Sequence, residues 1–167
     1  MLDSTQSVLL TLAELSIAYV GFAAIVGALN ARSEKWTPGT RILFRSMIDT
    51  GLMNVFVCLI PSFLFLLSLE GQTLWTISSA ATVVLLAATF IARLVQIRRA
   101  IGAPLPIGKW LLIPLSIISI VAFTVNALIW QAAGVYVLAT GIQLLINTVQ
   151  FLAVIFALFP VVTTPSA

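Results

Sequence analysis

Residues 8–29 read VLLTLAELSIAYVGFAAIVGAL, a run of 22 residues in which Glu14 is the only charged side chain. A helix of about 20 predominantly apolar residues is long enough to cross the hydrocarbon core of a bilayer. The apolar core of a secretory signal peptide is shorter, about 7–15 residues, and follows a basic segment, whereas residues 1–7 contain no Lys or Arg. The run therefore predicts a retained transmembrane helix.

The composition extends this prediction to the whole chain. Of 167 residues, 61% are hydrophobic and only 8% are charged, and the mean hydropathy is +1.18. A soluble domain has roughly 45–50% apolar and about 25% charged residues, so this chain has too few polar side chains to cover a water-facing surface. We expect an all-α integral membrane protein in which residues 1–167 form a single transmembrane domain.

Charge clusters and Gly, Pro and Gln residues divide the chain into five predicted spans. They cover about residues 7–31, 40–69, 74–97, 109–130 and 134–159. The last two come from the 50 residues from Trp110 to Phe159, which are too many for one crossing and fit two crossings joined by a tight hairpin. Four full spans plus a re-entrant or surface segment is the alternative.

The basic residues predict the orientation. All eight flank the same ends of the spans: Arg32, Lys35, Arg41, Arg45, Arg93, Arg98, Arg99 and Lys109. The positive-inside rule makes that side cytoplasmic, so we expect an outside N-terminus and a cytoplasmic C-terminus in a bacterial inner membrane. Trp75, Trp130 and Tyr136 then belong to an outer aromatic belt. Topology alone explains the basic clusters, but five of their members also suit anionic lipid headgroups: Arg32, Lys35, Arg41, Arg98 and Arg99.

Missing residue types exclude several classes of chemistry. The chain has no histidine, and Cys58 is its only cysteine. A histidine-ligated haem, a Ser-His-Asp triad, an intrachain disulfide and a multi-cysteine metal site are therefore excluded. Neither a phosphate-binding nor a dinucleotide-binding glycine motif is present. We expect no catalytic residues, no cofactor, no metal and no nucleic-acid partner.

Glu14 is the charged residue that topology does not explain. It is predicted to lie about seven residues, or roughly 10 Å, inside the first span. At 100° per residue it shares a helix face with Ser7, Ala18, Gly21 and Ala28, and small residues let another helix approach closely. We therefore expect Glu14 to point into protein. A neutral acid hydrogen-bonded to another helix and an acid that faces water or a cation both remain open.

Polar residues recur along the fifth predicted span at spacings of four, three, four and three: Tyr136, Thr140, Gln143, Asn147 and Gln150. This polar stripe occupies one helix face over about 21 Å. Thr140 and Gln143 lie at about the depth of Glu14 and are its first candidate partners. The stripe predicts either interhelical hydrogen bonds of around 0.6 kcal/mol each or the lining of a wet path. Together with Glu14, its five residues are therefore the pore or ion-site candidates.

Three further residues suggest a structural or gating role near the cytoplasmic side. Arg45 and Asp49 are four residues apart on the second span and suit an intrahelical ion pair. Arg93 lies at a similar predicted depth on the third span, which makes the three residues an inner clasp or, alternatively, the inner mouth of a pore. Pro61 lies well inside the second span and removes a backbone hydrogen bond, so it is a candidate hinge.

Two functions fit these features. The first is a homo-oligomeric channel or pore for ions or small solutes, in which several copies surround an axis because five helices enclose little water. The second is a non-catalytic accessory or assembly subunit of a larger membrane protein complex, a role that suits a helical bundle without cofactor ligands. The lipid bilayer and further copies of the chain are the expected partners.

Overall fold

The computed structural model of the protein describes residues 2–30, 38–99 and 109–158, which form five helices and contain no β-strand. The helices are α1 (Leu2–Asn30), α2 (Pro38–Leu66), α3 (Gly71–Arg99), α4 (Lys109–Val125) and α5 (Ala133–Leu158). A π-helical turn, Asn126–Trp130, extends α4. The all-helical prediction is confirmed for this part of the chain.

Each helix contains a segment long and apolar enough to cross a membrane. The segments are Ser4–Leu29, Phe44–Leu66, Gly71–Ala92, Ile113–Trp130 and Ala133–Phe156. Lipid supplies no hydrogen-bond partners, so an apolar segment of this length satisfies its own backbone as a helix. Residues 110–159 contain two of the five segments, as the hairpin prediction requires. The tight connection between them passes through Gln131, whose backbone is left-handed (φ 49°).

Successive helices run in opposite directions. Gln6 near the start of α1 contacts Ser62 near the end of α2, and Gln150 near the end of α5 contacts Ser46 near the start of α2. α5 packs against α1, α2 and α4, while α3 packs against α2 and α4. We call the end of the bundle where α1, α3 and α5 begin the Trp75 end, and the opposite end the Arg45 end.

The second helix ends at Leu66, three residues before its predicted boundary at Leu69. Ser68 has a left-handed backbone with φ of 63°. Its N–H donates to the Phe65 carbonyl at 2.9 Å, and the Leu69 N–H donates to the Leu64 carbonyl at 3.2 Å. These two bonds form a Schellman motif, which satisfies the last carbonyls of a helix. The boundary was missed because this position usually carries glycine.

Helices α1 and α2 are in close contact at Gly51. A Cβ atom at Gly51 would overlap the Val20 side chain and would lie 3.6 Å from the Ser16 carbonyl oxygen. Val20 is β-branched and has little rotamer freedom in a helix, so it cannot easily move aside. The glycine therefore sets how closely the two helices approach and turns the Ser16 side of α1 inward.

Candidate functional site

The polar stripe of α5 lies inside the bundle. Its five residues are no more than 5% exposed: Tyr136, Thr140, Gln143, Asn147 and Gln150. Burying a polar side chain in an apolar environment is costly unless it is hydrogen-bonded. The stripe therefore faces the other helices of the same protomer, and its partners there determine what it does.

Side-chain amides join neighbouring helices by donating to serine hydroxyls. The bonds connect Asn54 to Ser16 at 2.7 Å, Asn126 to Ser79 at 2.8 Å, Gln143 to Ser119 at 2.8 Å and Gln150 to Ser46 at 3.4 Å. They tie α2 to α1, the π-helical turn to α3, α5 to α4 and α5 to α2. Interhelical contacts of this kind contribute around 0.6 kcal/mol each. Two members of the stripe thus hold helices together.

The strongest link between α2 and α5 involves Pro61. Proline has no N–H, so Pro61 cannot donate to the carbonyl of Val57 four residues earlier. The Tyr136 hydroxyl donates to that carbonyl at 2.7 Å and lies 3.0 Å from Thr82 Oγ1. Neighbouring helices commonly satisfy the backbone groups that proline frees in a transmembrane helix. Pro61 and Tyr136, predicted separately as a hinge and a pore candidate, are therefore two parts of one contact.

Aromatic rings enclose this contact. The Tyr136 ring packs against Trp75 with a centroid distance of 5.7 Å and against Phe123 at 5.1 Å. Trp75 is only 7% exposed and Tyr136 is fully buried, so the prediction that both lie in an outer aromatic belt is wrong. The Tyr136 hydroxyl finds its polar partners inside the bundle and does not need the membrane interface. Trp130 is 57% exposed, as a belt residue requires.

Other polar atoms of the core have no partner in the described part of the chain. Both amide atoms of Asn147 are unpaired, as are Oδ1 of Asn54 and Oε1 of Gln150. An unpaired buried amide costs roughly 1–3 kcal/mol. The stripe therefore contains more hydrogen-bonding capacity than the contacts between helices use.

A small cavity lies between α2, α3, α4 and α5. Its polar lining comes from Thr50, Thr89, Ser116 and Gln143, and its apolar lining includes Met53 and Phe90. About 20 Å³ of it is open to the centre of a water molecule, and roughly 10–15 Å³ is enough to hold one water. The core thus has room for water beside Gln143.

Glu14 lies on the exposed surface of α1, so the described helices of its own protomer do not cover it. Ser7, Ala18, Gly21 and Ala28 on the same face are also exposed. The inward side of α1 carries a different set of residues: Leu9, Ala13, Ser16, Ala23 and Val26. The rotation of α1 about its own axis that places Ser16 against Asn54 and Gly51 also directs Glu14 away from the other described helices.

The expected partners of Glu14 are engaged elsewhere. Gln143 donates to Ser119 on α4, and the Thr140 hydroxyl donates to the Tyr136 carbonyl at 2.8 Å. Both side chains are buried, whereas Glu14 is exposed. Neither of these two side chains therefore pairs with the Glu14 carboxyl in the described part of the protomer.

The predicted ion pair of α2 is present. Arg45 Nε lies 3.9 Å from Asp49 Oδ2, with the side chains 75% and 51% exposed. An exposed pair contributes little to stability, so the contact alone is not a clasp. The side chain of Arg93 lies outside the described residues, as do those of Arg32, Lys35, Arg98 and Arg99, while Arg41 is exposed.

Two of the parts of the site that were not among the predicted residues show why they were missed. One is Ser16, which accepts from Asn54 and donates to the Leu12 carbonyl at 2.8 Å. A serine in an apolar run gives no clear signal because it can also satisfy itself on its own helix, as here. The other is the Val57 carbonyl, which could have been found by counting four residues back from Pro61.

The described side chains of this arrangement can donate and accept hydrogen bonds. Amides and hydroxyls make up the buried polar side chains of the residues that the structure describes, and the described carboxylates Glu14, Asp49 and Glu70 are all exposed. A nucleophile with an adjacent base is not found among them. Comparison of the chain with protein-family models, with curated proteins and with solved structures finds no match.

Proposed function

We propose that the protein is a non-catalytic accessory or assembly subunit of a larger membrane protein complex. The observation that carries the proposal is the exposed carboxyl group of Glu14 near the middle of a membrane span. Glu14 lies ten residues after Ser4 and fifteen before Leu29, the ends of the apolar segment of α1. These separations correspond to roughly 15 Å and 22 Å along the helix.

A charged side chain at this depth is expensive to leave in lipid. Insertion scales give a cost of roughly 2.5–3.5 kcal/mol for Asp at the centre of a transmembrane helix. Ionisable residues in membrane spans almost always face protein or a water-filled cavity. Because no other helix of the protomer covers Glu14, a helix from another chain is the natural way to meet this requirement.

The polar core supports the same proposal from the inside. Two of the four amide–serine bonds and the Tyr136 contact use polar groups of α5 to join helices, which favours a stable scaffold for other helices. The orientation that we propose, with the Trp75 end outside and the basic Arg45 end in the cytoplasm of a bacterial cell, would place Glu14 near mid-membrane, toward the outer leaflet.

The test is the mass of the particle extracted in its native lipid with an amphipathic polymer. We expect the 17.9 kDa chain in a particle with other chains at fixed stoichiometry, and Glu14→Ala should reduce their amount. Glu70→Ala is the matched control because Glu70 is an exposed acid between the apolar segments of α2 and α3. A homogeneous particle that contains only this chain would contradict the proposal.

A homo-oligomeric channel is the second candidate function. The unpaired amide of Asn147 and the cavity beside Gln143 favour it, since both place hydrogen-bonding capacity for water in the core of the bundle. Ion flux into liposomes should then fall when Asn147→Leu removes this capacity, and Glu14→Gln tests the acid as a second lining group. Equal flux through wild type and both variants would exclude these residues from a conducting path.

A further inference from the structure

We propose that the partner helix carries a lysine or arginine at the depth of Glu14 and packs on the Glu14 face, which we define as Ser7, Glu14, Ala18, Gly21 and Ala28. This inference rests on the proposed function and deepens it, because it specifies the chemistry of the partner. It depends on the shape of the face, on the charge at its centre and on where the chain's own basic residues lie.

The shape of the face permits close approach. Four of its five residues are Ser, Ala or Gly, and all five are exposed. A Cβ atom built on Gly21 would meet nothing within 4 Å. Small residues let two helix backbones approach each other in a membrane. Nothing in the described protomer occupies the space above Gly21, so a second helix has room there.

The basic side chains that the structure describes do not balance the charge of the face. All eight Lys and Arg residues lie between positions 32 and 109, beside the ends of helices, and Arg45 is already paired with Asp49. Ser16 on α1 lies opposite Asn54 on α2. Arg45 is nine residues before Asn54 along α2, and Glu14 is two residues before Ser16 along α1. Because the two helices run in opposite directions, these separations add up to eleven residues between the levels of Arg45 and Glu14. Those eleven residues correspond to roughly 16 Å of helix, too far for an ion pair.

A second copy of the chain does not solve the problem. In the same orientation it brings another carboxyl group to this depth and no basic side chain. A basic side chain on a different chain supplies the missing charge and, in low dielectric, interacts strongly with the carboxylate. Charge complementarity therefore selects a basic partner helix over a second copy.

The test uses two synthetic transmembrane peptides as probes. Both are leucine-rich with one alanine–glycine face, and they differ only in having lysine or glutamine at the depth of Glu14. Energy transfer from the C-terminally labelled protein to labelled peptide is measured in phosphatidylcholine vesicles. We expect the lysine peptide to bind at least tenfold more tightly than the glutamine peptide.

Variants of the protein separate charge from shape. Glu14→Gln should abolish the preference for lysine, whereas Glu70→Gln should leave it unchanged. Gly21→Val should weaken binding of the lysine peptide about tenfold without unfolding the protein, because a Cβ atom at this position meets no described atom within 4 Å. Helicity and thermal stability of each variant are measured alongside binding.

Three results would overturn the inference. One is equal binding of the two peptides. Another is retention of the lysine preference in Glu14→Gln. The third is self-association of the protein that survives Glu14→Gln but not Glu14→Ala, which would make a second copy the occupant through a neutral hydrogen bond. If native particles contain other chains while the two peptides bind alike, the proposed function stands and only this inference fails.

Discussion

The hydrogen bond from Tyr136 to the carbonyl that Pro61 leaves free predicts that substitutions at positions 61 and 136 are energetically coupled. Replacing Tyr136 by Phe removes the hydroxyl that donates to the Val57 carbonyl at 2.7 Å. Pro61 provides no N–H to replace it, so the carbonyl is left buried and unpaired. An unsatisfied buried backbone group costs roughly 1–3 kcal/mol, and the contact with Thr82 adds about 0.6 kcal/mol. We expect Tyr136→Phe to lower the free energy of unfolding by about 2 kcal/mol.

The same substitution should cost less when Pro61 is first replaced by Ala. The N–H of alanine at this position would donate to the Val57 carbonyl as in an uninterrupted helix. Only the Thr82 contact is then lost, at about 0.6 kcal/mol. A double-mutant cycle should therefore give a coupling energy of about 1–1.5 kcal/mol between positions 61 and 136. Equilibrium unfolding in bicelles, with steric trapping of the unfolded chain, measures the four free energies.

The other tyrosine of the chain provides the control. The single hydroxyl proton of Thr148 can be donated either to the Tyr19 hydroxyl oxygen or to the Leu144 carbonyl, each 3.0 Å away. Tyr19→Phe therefore strands no backbone group and should cost less than about 1 kcal/mol, independently of position 61. Equal costs of Tyr136→Phe in the wild-type and Pro61→Ala backgrounds would refute the reasoning, as would a neutral Tyr136→Phe.

The same unfolding measurement tests three other parts of the fold, two of them with a second substitution for comparison. Gly51→Ala should lower the free energy of unfolding by about 1–3 kcal/mol because it overpacks the α1–α2 contact. Gly141→Ala should leave the free energy of unfolding unchanged or raise it, because a Cβ atom there meets no atom within 4 Å. Equal losses of stability in the two variants would contradict this prediction. Ser68→Gly should stabilise by about 1 kcal/mol, since it relieves a left-handed backbone, and an unchanged or lower stability would show that φ at this position is not a source of strain. Asn147→Leu should stabilise by about 1–2 kcal/mol because both of its amide atoms are unpaired, whereas Gln143→Leu should destabilise by breaking its bond to α4. A loss on Asn147→Leu would show that the amide has a binding partner.

Hydropathy was sufficient to predict the number of helices. In lipid an apolar run has to satisfy its backbone internally, so five long runs give five helices whatever their neighbours are. The hairpin within residues 110–159 was predictable for the same reason, since its length exceeds one crossing. The end of α2 was not, because Ser68 occupies a position that usually signals itself by glycine.

The candidate site was predictable only as a set of residues. Periodicity placed Tyr136, Gln143 and Gln150 on one face of α5, and the structure shows that this face is buried. The same reasoning placed Glu14 on a face of small residues, and the structure shows that the described helices of the protomer leave this face exposed. Small residues favour close helix contacts both within a protomer and between protomers, so their spacing does not distinguish the two.

By itself, the sequence determined that the protein is helical, that five segments are long enough to cross a membrane and which residues share each helix face. Only the tertiary structure decided which faces are covered. Lipid and the interior of a helical bundle are both apolar, so the hydrophobic pattern that distinguishes inside from outside in a soluble protein is weak here. Close contacts such as that of Gly51 with Val20 turn α1 instead. The stripe of α5 is buried as a result, and Glu14 lies on the exposed face of α1.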